Sequence, residues 1–170
     1  CHKNKIYFCS NTYIFVYNGK TVEAISLGDR NTYACFLTFF CNDQIFIGSW
    51  HYGLLTLKNN ELSVAPGAKV FERKNIYSML HYSDKENLII TNGGFYLYNP
   101  ATGESCLFKD SNGFIKNMID ESIIPYNSIS LNNHNFGIGN VQTDWLSFFE
   151  LTPHSNPVSI VSKSIGLQSS

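Results

Sequence analysis

Several features that mark common protein classes are missing from this 170-residue chain. It contains no apolar stretch long enough to span a membrane and no charged-then-apolar segment of the signal-peptide kind. Its formal net charge is −1 and its pI is near 6.6, so it has no basic stripe for binding nucleic acid. The sequence therefore predicts a soluble protein that does not bind nucleic acid. Any targeting signal is expected to have been removed or to lie outside this chain.

Cysteine is present, but its spacing is not that of a disulfide-bonded protein or of a zinc site. The five cysteines are an odd number and include no CxxC pair, which argues against a disulfide framework and against a zinc ribbon. Cys35 and Cys41 are expected in one strand, where six residues span about 20 Å, far beyond the reach of a disulfide. We interpret Cys9, Cys35, Cys41 and Cys106 as small buried apolar residues.

Patterns that indicate catalysis or cofactor binding are also missing. No serine lies in a G-x-S-x-G motif. Gly137-Ile138-Gly139 lacks the third glycine and the following helix of a dinucleotide site. We interpret Asp84, Glu86, Asp120 and Glu121 as solvated charges in connections. The spacing of the five histidines is not typical of metal ligands. These residues are His2, His51, His81, His134 and His154. The sequence therefore predicts no catalytic residues, no metal and no cofactor.

One pattern occurs four times along the chain. An apolar run ends in a small residue, a short turn follows, and a second apolar run ends at an Asn/Gly turn, as in Ile45–Asn60. Two such runs joined by a tight turn predict a β-hairpin. With register marks at Ile6, Ile45, Leu88 and Phe136, the copies recur at intervals of 39, 43 and 48 residues. A period in the forties indicates a propeller or another repeat array.

Each complete copy is predicted to form four short antiparallel strands, which is the composition of a propeller blade. The run Ile45-Phe46-Ile47 is continuous rather than alternating, as expected where both faces of a sheet are covered. Gly48, Gly137 and Gly139 are expected where neighbouring sheets approach closely. We therefore predict an all-β fold, a β-propeller fragment of about four four-stranded antiparallel blades, whose first unit lacks its opening strand. The chain is treated as one partial propeller with units at about 1–33, 34–75, 76–126 and 127–164, and with another blade starting at 165–170.

The hairpins resemble the regulator-propeller repeats of the periplasmic sensor region of Bacteroides-type hybrid two-component histidine kinases. A blade of that family reads W-I-G-T, then a polar turn, then G-L-y-r-y. Ile45–Ser49 and Gly53–Leu57 are similar to the two halves, and Ile165–Ser170 resembles the family's opening phrase d-G-L-p-s. Ser111–Asn117 is a looser copy of that phrase. The position of the family's Trp is filled by Tyr7, Phe46, Ile89 and Gly137.

The resemblance covers the whole chain and implies a function. It implies an extracytoplasmic module, part of a larger ectodomain, that detects an oligosaccharide and transmits the signal to a cytoplasmic kinase encoded elsewhere in the protein. The expected partners are the oligosaccharide, the remaining blades of the ectodomain and a second full-length subunit, without direct membrane contact by this segment. The alternative is a protein-interaction scaffold of the WD-repeat or kelch kind. A propeller lyase or glycosidase would require paired acids or a metal cluster.

A ligand is expected at the edge where the turns between second and third strands meet the connections between blades. Aromatic faces beside amide, carboxylate and guanidinium groups are typical of carbohydrate recognition. Trp50 and Trp145 have an alternative interpretation as packing residues between blades. An open stack of blades would also leave two apolar faces bare, so an isolated chain is expected to self-associate. The candidate ligand-binding residues are Trp50, His51, Tyr52, Arg73, Asn92, Gln142, Asp144 and Trp145.

Overall fold

Four antiparallel sheets follow one another along the chain. The computed structural model describes residues 4–10, 12–27, 37–41, 44–108, 113–120, 127–132, 134–140, 145–150 and 158–162. Each sheet consists of consecutive strands, with three strands in sheet 1 and four in each of sheets 2, 3 and 4. The prediction of an all-β fold with four antiparallel units is confirmed. No helix among these residues is both long and apolar enough to cross a membrane.

The strands agree closely with the predicted hairpins. Sheet 1 consists of β1 (Ile6–Cys9), β2 (Tyr13–Tyr17) and β3 (Val22–Ser26). Sheet 2 consists of β4 (Thr38–Cys41), β5 (Gln44–Ser49), β6 (Gly53–Lys58) and β7 (Glu61–Val64). Sheet 3 consists of β8 (Ile76–His81), β9 (Asn87–Thr91), β10 (Gly94–Tyr98) and β11 (Ser105–Leu107). Sheet 4 consists of β12 (Asn127–Asn132), β13 (Asn135–Asn140), β14 (Trp145–Glu150) and β15 (Val158–Ser162).

The described parts of the connections between sheets contain two short helices that the repeat pattern does not predict. A 3-10 helix, Ala68–Phe71, joins sheet 2 to sheet 3, and α1 (Phe114–Asp120) joins sheet 3 to sheet 4. Ile115 and Met118, one turn apart on α1, are both buried in the core between sheets 3 and 4. A helix of seven residues is marginal by itself, so this packing is what stabilises it.

Apolar side chains fill the spaces between successive sheets. In β5, Ile45 and Ile47 lie in the core shared with sheet 1, whereas Phe46 lies in the core shared with sheet 3. Successive side chains of a strand point to opposite faces of the sheet. The continuous apolar run is therefore explained, as predicted, by a sheet that is covered on both faces.

The third unit differs from the predicted register by one residue. Ser49 and Thr91 are the last residues of β5 and β9, and each hydroxyl accepts a hydrogen bond within the following turn. When the second and third units are aligned on Ser49 and Thr91, Ile45 corresponds to Asn87 rather than to Leu88. The register mark at Leu88 is wrong because β9 begins with a buried polar residue, so its apolar run starts one position late.

This shift decides which face each β9 side chain occupies, because one residue of slip turns a side chain to the opposite face. Leu88 lies in the core between sheets 3 and 4, and Ile89 lies in the core between sheets 2 and 3. Phe46 also points towards the sheet that follows its own. Leu88, and not Ile89, is therefore the structural counterpart of Phe46, so the expectation that Ile89 fills the same position as Phe46 is wrong.

Gly48 lies where two sheets approach closely, as predicted. A Cβ atom added to it would lie 3.3 Å from Cβ of Ile76, the first residue of sheet 3. Since the first strands of sheets 2 and 3 also contact each other, a larger residue at this position would push the sheets apart. Gly137 is likewise buried, and Gly139 is half-buried.

The cysteine prediction is confirmed only for Cys41. This residue is buried, and its Sγ donates to the carbonyl oxygen of Met79 at 3.3 Å. Cys9 and Cys106 are exposed, so the prediction that they are buried is wrong. They lie on β1 and β11, each the terminal strand of its sheet, where fewer neighbours cover a side chain. Cys35 lies outside the described residues.

Gly53→Ala is expected to destabilise the fold far more than Gly19→Ala. Both glycines have positive φ, 71° and 93°, so each substitution costs about 1–2 kcal/mol of backbone strain. A Cβ atom at position 53 would also overlap the backbone of Ala68, whereas nothing lies within 4 Å at position 19. Urea unfolding should show a loss above about 3 kcal/mol for Gly53→Ala. Equal losses in the two variants would contradict this packing.

Stability is expected to fall as the pH rises above about 9. Burial raises the pKa of the Cys41 thiol from 9.0, and of the Tyr98 hydroxyl from 10.0, each to about 12. Between these values the unfolded chain loses protons that the folded protein keeps, so the free energy of unfolding decreases. Urea titrations at several pH values should show this decrease, and the double variant Cys41→Ala/Tyr98→Phe should weaken it. An identical slope in the double variant would refute the assignment.

Candidate functional site

The predicted site residues of sheets 2 and 3 lie where two hairpin turns meet the connection between the sheets. In sheet 2, the backbone N–H of Arg73 donates to the carbonyl oxygen of Trp50 at 2.7 Å. In sheet 3, the N–H of Asn75 donates to Asn92 Oδ1 at 3.0 Å, and the N–H of Asn92 donates to Asn75 O at 3.2 Å. The connection thus brings Trp50, Arg73 and Asn92 to one edge, which we call the rim.

The rim is held in place by the buried part of the connection. Phe71 is fully buried and makes edge-to-face contacts with the rings of Tyr96 and Tyr98, at centroid distances of 5.5 and 5.6 Å. The hydroxyl of Tyr98 donates to Pro66 O at 2.8 Å. Anchors at both ends of the 3-10 helix therefore fix the backbone that carries Arg73.

A hydroxyl residue at the end of the second strand shapes each turn of the rim. Ser49 Oγ accepts from the N–H of Tyr52 at 3.3 Å. Thr91 Oγ1 accepts from the N–H of Gly93 at 3.0 Å and donates to Gly94 O at 2.9 Å. Ser49 and Thr91 thus have a structural role in closing their hairpins.

The aromatic side chains of the rim are accessible. Trp50 and Tyr52 are each 37% exposed, and His51, Arg73 and Asn92 are exposed as well. Trp50 belongs to none of the three inter-sheet cores formed by the described residues. Its position at the tip of a turn therefore favours a surface role over the alternative of packing between blades.

Lys74 belongs to the rim but was not predicted from the sequence. Its Nζ donates to Val70 O at 2.6 Å and lies 5.9 Å from the centroid of the Tyr96 ring. Its side chain also lies beside Gly93, since a Cβ atom there would be 3.3 Å from Lys74 Cε. The polar run after the buried Phe71, Glu72-Arg73-Lys74-Asn75, is the signal that could have identified it.

The remaining predicted site residues belong to the turn between β13 and β14. Gln142 and Asp144 lie outside the described residues. Trp145 is the first residue of β14, where it is paired with Asn140 of β13. The alternating strand directions place the last residue of β13 and the first residue of β14 at the same end of their sheet as the turns after β5 and β9 are in theirs.

The opposite end of sheet 3 has a separate, open cavity of about 340 Å³. Its lining residues are Ser83, Asp84, Lys85, Glu86 and Asn99. The side-chain oxygens of Ser83 and Asn99 accept hydrogen bonds from backbone N–H groups within their own turns. These two side chains therefore stabilise the turns. Asp84 is exposed, in line with its interpretation as a solvated charge. Within the described ranges, no group of three His, Cys, Asp or Glu residues could hold a metal ion.

Asn92→Ala is expected to destabilise the rim, whereas Asn92→Asp is expected to preserve it. Alanine removes the acceptor of the Asn75 N–H at an exposed site, which should cost about 0.5–1 kcal/mol. Aspartate keeps an oxygen at that position. Urea unfolding of the two variants measures the difference. A loss that is the same for both would show that this hydrogen bond does not stabilise the turn.

Comparisons with known proteins identify the fold but no family. No model of a known protein family matches the chain, and neither does any curated protein. Virginiamycin B lyase from Staphylococcus aureus is a structural neighbour with a TM-score of 0.58 and 10% sequence identity, over 93% of this chain and 52% of the lyase chain. PorZ, a surface component of the type IX secretion system of Porphyromonas gingivalis, has a TM-score of 0.54 and 10% identity, over 95% of this chain and 22% of its own.

Both neighbours are β-propeller proteins. The chain spans about half of the length of the lyase and about a fifth of the length of PorZ. Structural similarity at 10% sequence identity establishes the fold and nothing more. The four-sheet stack is therefore a β-propeller fragment, as the repeat predicted.

Proposed function

We propose that this chain is a ligand-sensing β-propeller segment of the periplasmic sensor region of a hybrid two-component histidine kinase. It would detect an oligosaccharide and transmit the signal to a cytoplasmic kinase elsewhere in the protein. The family assignment rests on the resemblance of Ile45–Ser49 and Gly53–Leu57 to the regulator-propeller blade. The observation that supports ligand binding is the rim, where exposed aromatic residues lie beside fixed polar groups.

The chemistry of the rim suits a sugar. The C–H faces of a sugar ring stack on aromatic side chains such as Trp50 and Tyr52, while its hydroxyl groups need polar partners in fixed positions. The guanidinium of Arg73 offers five donors in a rigid fork. Asn92 uses Oδ1 within the turn, which fixes the orientation of its amide. Together these groups would hold one sugar face and its hydroxyls.

The position of the rim also suits signal transmission. Trp50 belongs to sheet 2 and Asn92 to sheet 3, and the connection that carries Arg73 is hydrogen-bonded to both turns. A ligand that bridges the turns would favour one arrangement of the neighbouring sheets. If a full-length dimer has two arrangements that differ at the rim, a ligand that binds one of them more tightly shifts the dimer towards that arrangement. This shift would change the activity of the kinase. This segment itself would carry out no chemistry.

A protein-interaction scaffold is the second candidate. It is favoured by the apolar residues exposed on the outer faces of sheets 1 and 4, among them Phe8 and Ile129. Such a propeller would bind a protein surface rather than a sugar. The two candidates therefore differ in which surface of the molecule a partner needs.

Isothermal titration against oligosaccharides tests the sensor proposal. The panel comprises neutral plant oligosaccharides, uronic-acid oligosaccharides and host glycans. One class is expected to bind, and Trp50→Ala is expected to weaken binding about tenfold or more, which corresponds to about 1.4 kcal/mol. Phe40→Ala is the matched control, because Phe40 is 38% exposed but lies at the opposite end of sheet 2.

Three results would count against the proposal. No binding by any class would remove the support for a sugar site in this segment. Equal weakening by Trp50→Ala and Phe40→Ala would place the site away from the rim. Unfolding of the Trp50→Ala protein, seen as a large drop in melting temperature, would make Trp50 a packing residue.

A further inference from the structure

The part of the rim between sheets 2 and 3 is positively charged. The connection 65–75 contains three cationic side chains and one acidic side chain, whereas the turns 50–52 and 92–93 contain no Lys, Arg, Asp or Glu. The charged residues of the connection are Lys69, Glu72, Arg73 and Lys74. With histidine neutral, this part of the rim therefore has a net charge of +2, although the net charge of the whole chain is −1.

The opposite end of the same two sheets has the reverse charge. Its described turns and their flanking residues lie at 58–61, 82–86 and 99–104. They contain two lysines and four acidic residues, which are Lys58, Lys85, Glu61, Asp84, Glu86 and Glu104. The net charge of these turns is therefore −2. A negatively charged ligand is attracted to the rim and repelled from the opposite end.

The backbone conformation of Arg73 indicates a role for its side chain. Its φ is 57°, in the left-handed region. The other described non-glycine residues with positive φ are three asparagines and one histidine, and these residue types adopt this conformation more readily than arginine does. Residues held in sparsely populated backbone conformations cluster at ligand-binding sites. The side chain of Arg73 is exposed beside the turn of Trp50, where a ligand can reach it.

Lys74 supplies a second cation, in a fixed position beside the turn of sheet 3. Its Nζ donates to Val70 O at 2.6 Å and lies 5.9 Å from the centroid of the Tyr96 ring. Its Cε would be 3.3 Å from a Cβ atom at Gly93. An ammonium group has three donors, so two remain for a ligand. Because these contacts already hold the side chain, an anion that binds here loses little affinity to side-chain ordering.

We propose that the oligosaccharide recognised at the rim is acidic and carries the carboxylate groups of uronic acids. This inference rests on the proposed function, because it names the class of sugar that binds to the same surface. A guanidinium group binds a carboxylate through two parallel hydrogen bonds. Arg73 binds the carboxylate in this way, and Lys74 contributes a positive charge from the side of sheet 3. Trp50 stacks on a C–H face of the sugar.

Matched pairs of ligands test the acidic class directly. Oligosaccharides of galacturonic, glucuronic and mannuronic acid are titrated into the 170-residue chain by calorimetry, each beside the same oligosaccharide with its carboxyl groups reduced to alcohols. At least one acidic oligosaccharide is expected to bind about tenfold or more tightly than its reduced form. Raising the ionic strength from about 0.1 M to about 1 M shortens the Debye length from about 10 Å to about 3 Å, so it should diminish this difference.

The variants Arg73→Asn and Lys74→Met test the two cations. Asparagine tolerates a positive φ at position 73, and methionine keeps an unbranched apolar chain beside Gly93 and Tyr96, so both variants are expected to fold. Each should reduce the preference for the acidic oligosaccharide over its reduced form, and the double variant should abolish it. Lys58→Met is the matched control, because it removes an exposed positive charge at the opposite end of sheet 2.

The outcomes separate this inference from the proposed function. Equal affinity for the acidic and reduced forms would overturn the acidic class but leave a neutral sugar site. A preference that persists in the double variant, or that Lys58→Met reduces equally, would overturn the assignment to Arg73 and Lys74. Binding of a sulfated neutral oligosaccharide alone would overturn the carboxylate. No binding of any sugar would overturn both proposals. Circular dichroism checks that each variant folds, and Lys74→Gln replaces Lys74→Met if the latter does not.

Discussion

Coverage of both faces of each sheet is the constraint on which this structure depends. Sheets 2 and 3 are stable because apolar side chains alternate between the two neighbouring cores, as Phe46 and Ile47 do. Each apolar Å² removed from water is worth about 25 cal/mol, so a sheet with a bare face loses much of its stabilisation. The connections also help to cover the sheet faces, because Phe71, Ile115 and Met118 pack into the cores between sheets.

The sequence predicted the fold well because that constraint is visible in it. Continuous apolar runs with tight turns recur at a near-constant period. These runs become the second and third strands of sheets 2, 3 and 4, and the first and second strands of the three-stranded sheet 1. The exact register in β9 was not predictable, because Asn87 is polar yet buried and shifts the apparent start of the run. Helix α1 was missed because its burial depends on Ile115 and Met118 meeting a core built by distant strands.

The candidate site was predictable in location more than in detail. The topology of a four-stranded sheet places the turn of Trp50 and the connection of Arg73 at one edge, and a backbone hydrogen bond joins them there. The polar run after Phe71 could have pointed to Lys74 and Asn75, but their contacts were not predictable, because these depend on the path of the connection past the turn of Asn92. The repeat period of the sequence locates the strands of each unit, but it does not determine the path of the connections between units.

The stack and its register can be tested by nuclear Overhauser effects from methyl groups in β9. The account predicts that the Ile89 methyl groups show contacts to the aromatic protons of Phe46 or Tyr98, in the core between sheets 2 and 3. The Leu88 methyl groups should instead contact Phe136, in the core between sheets 3 and 4. Contacts with these partners exchanged, or no contacts between sheets, would contradict a stack whose sheets are covered on both faces.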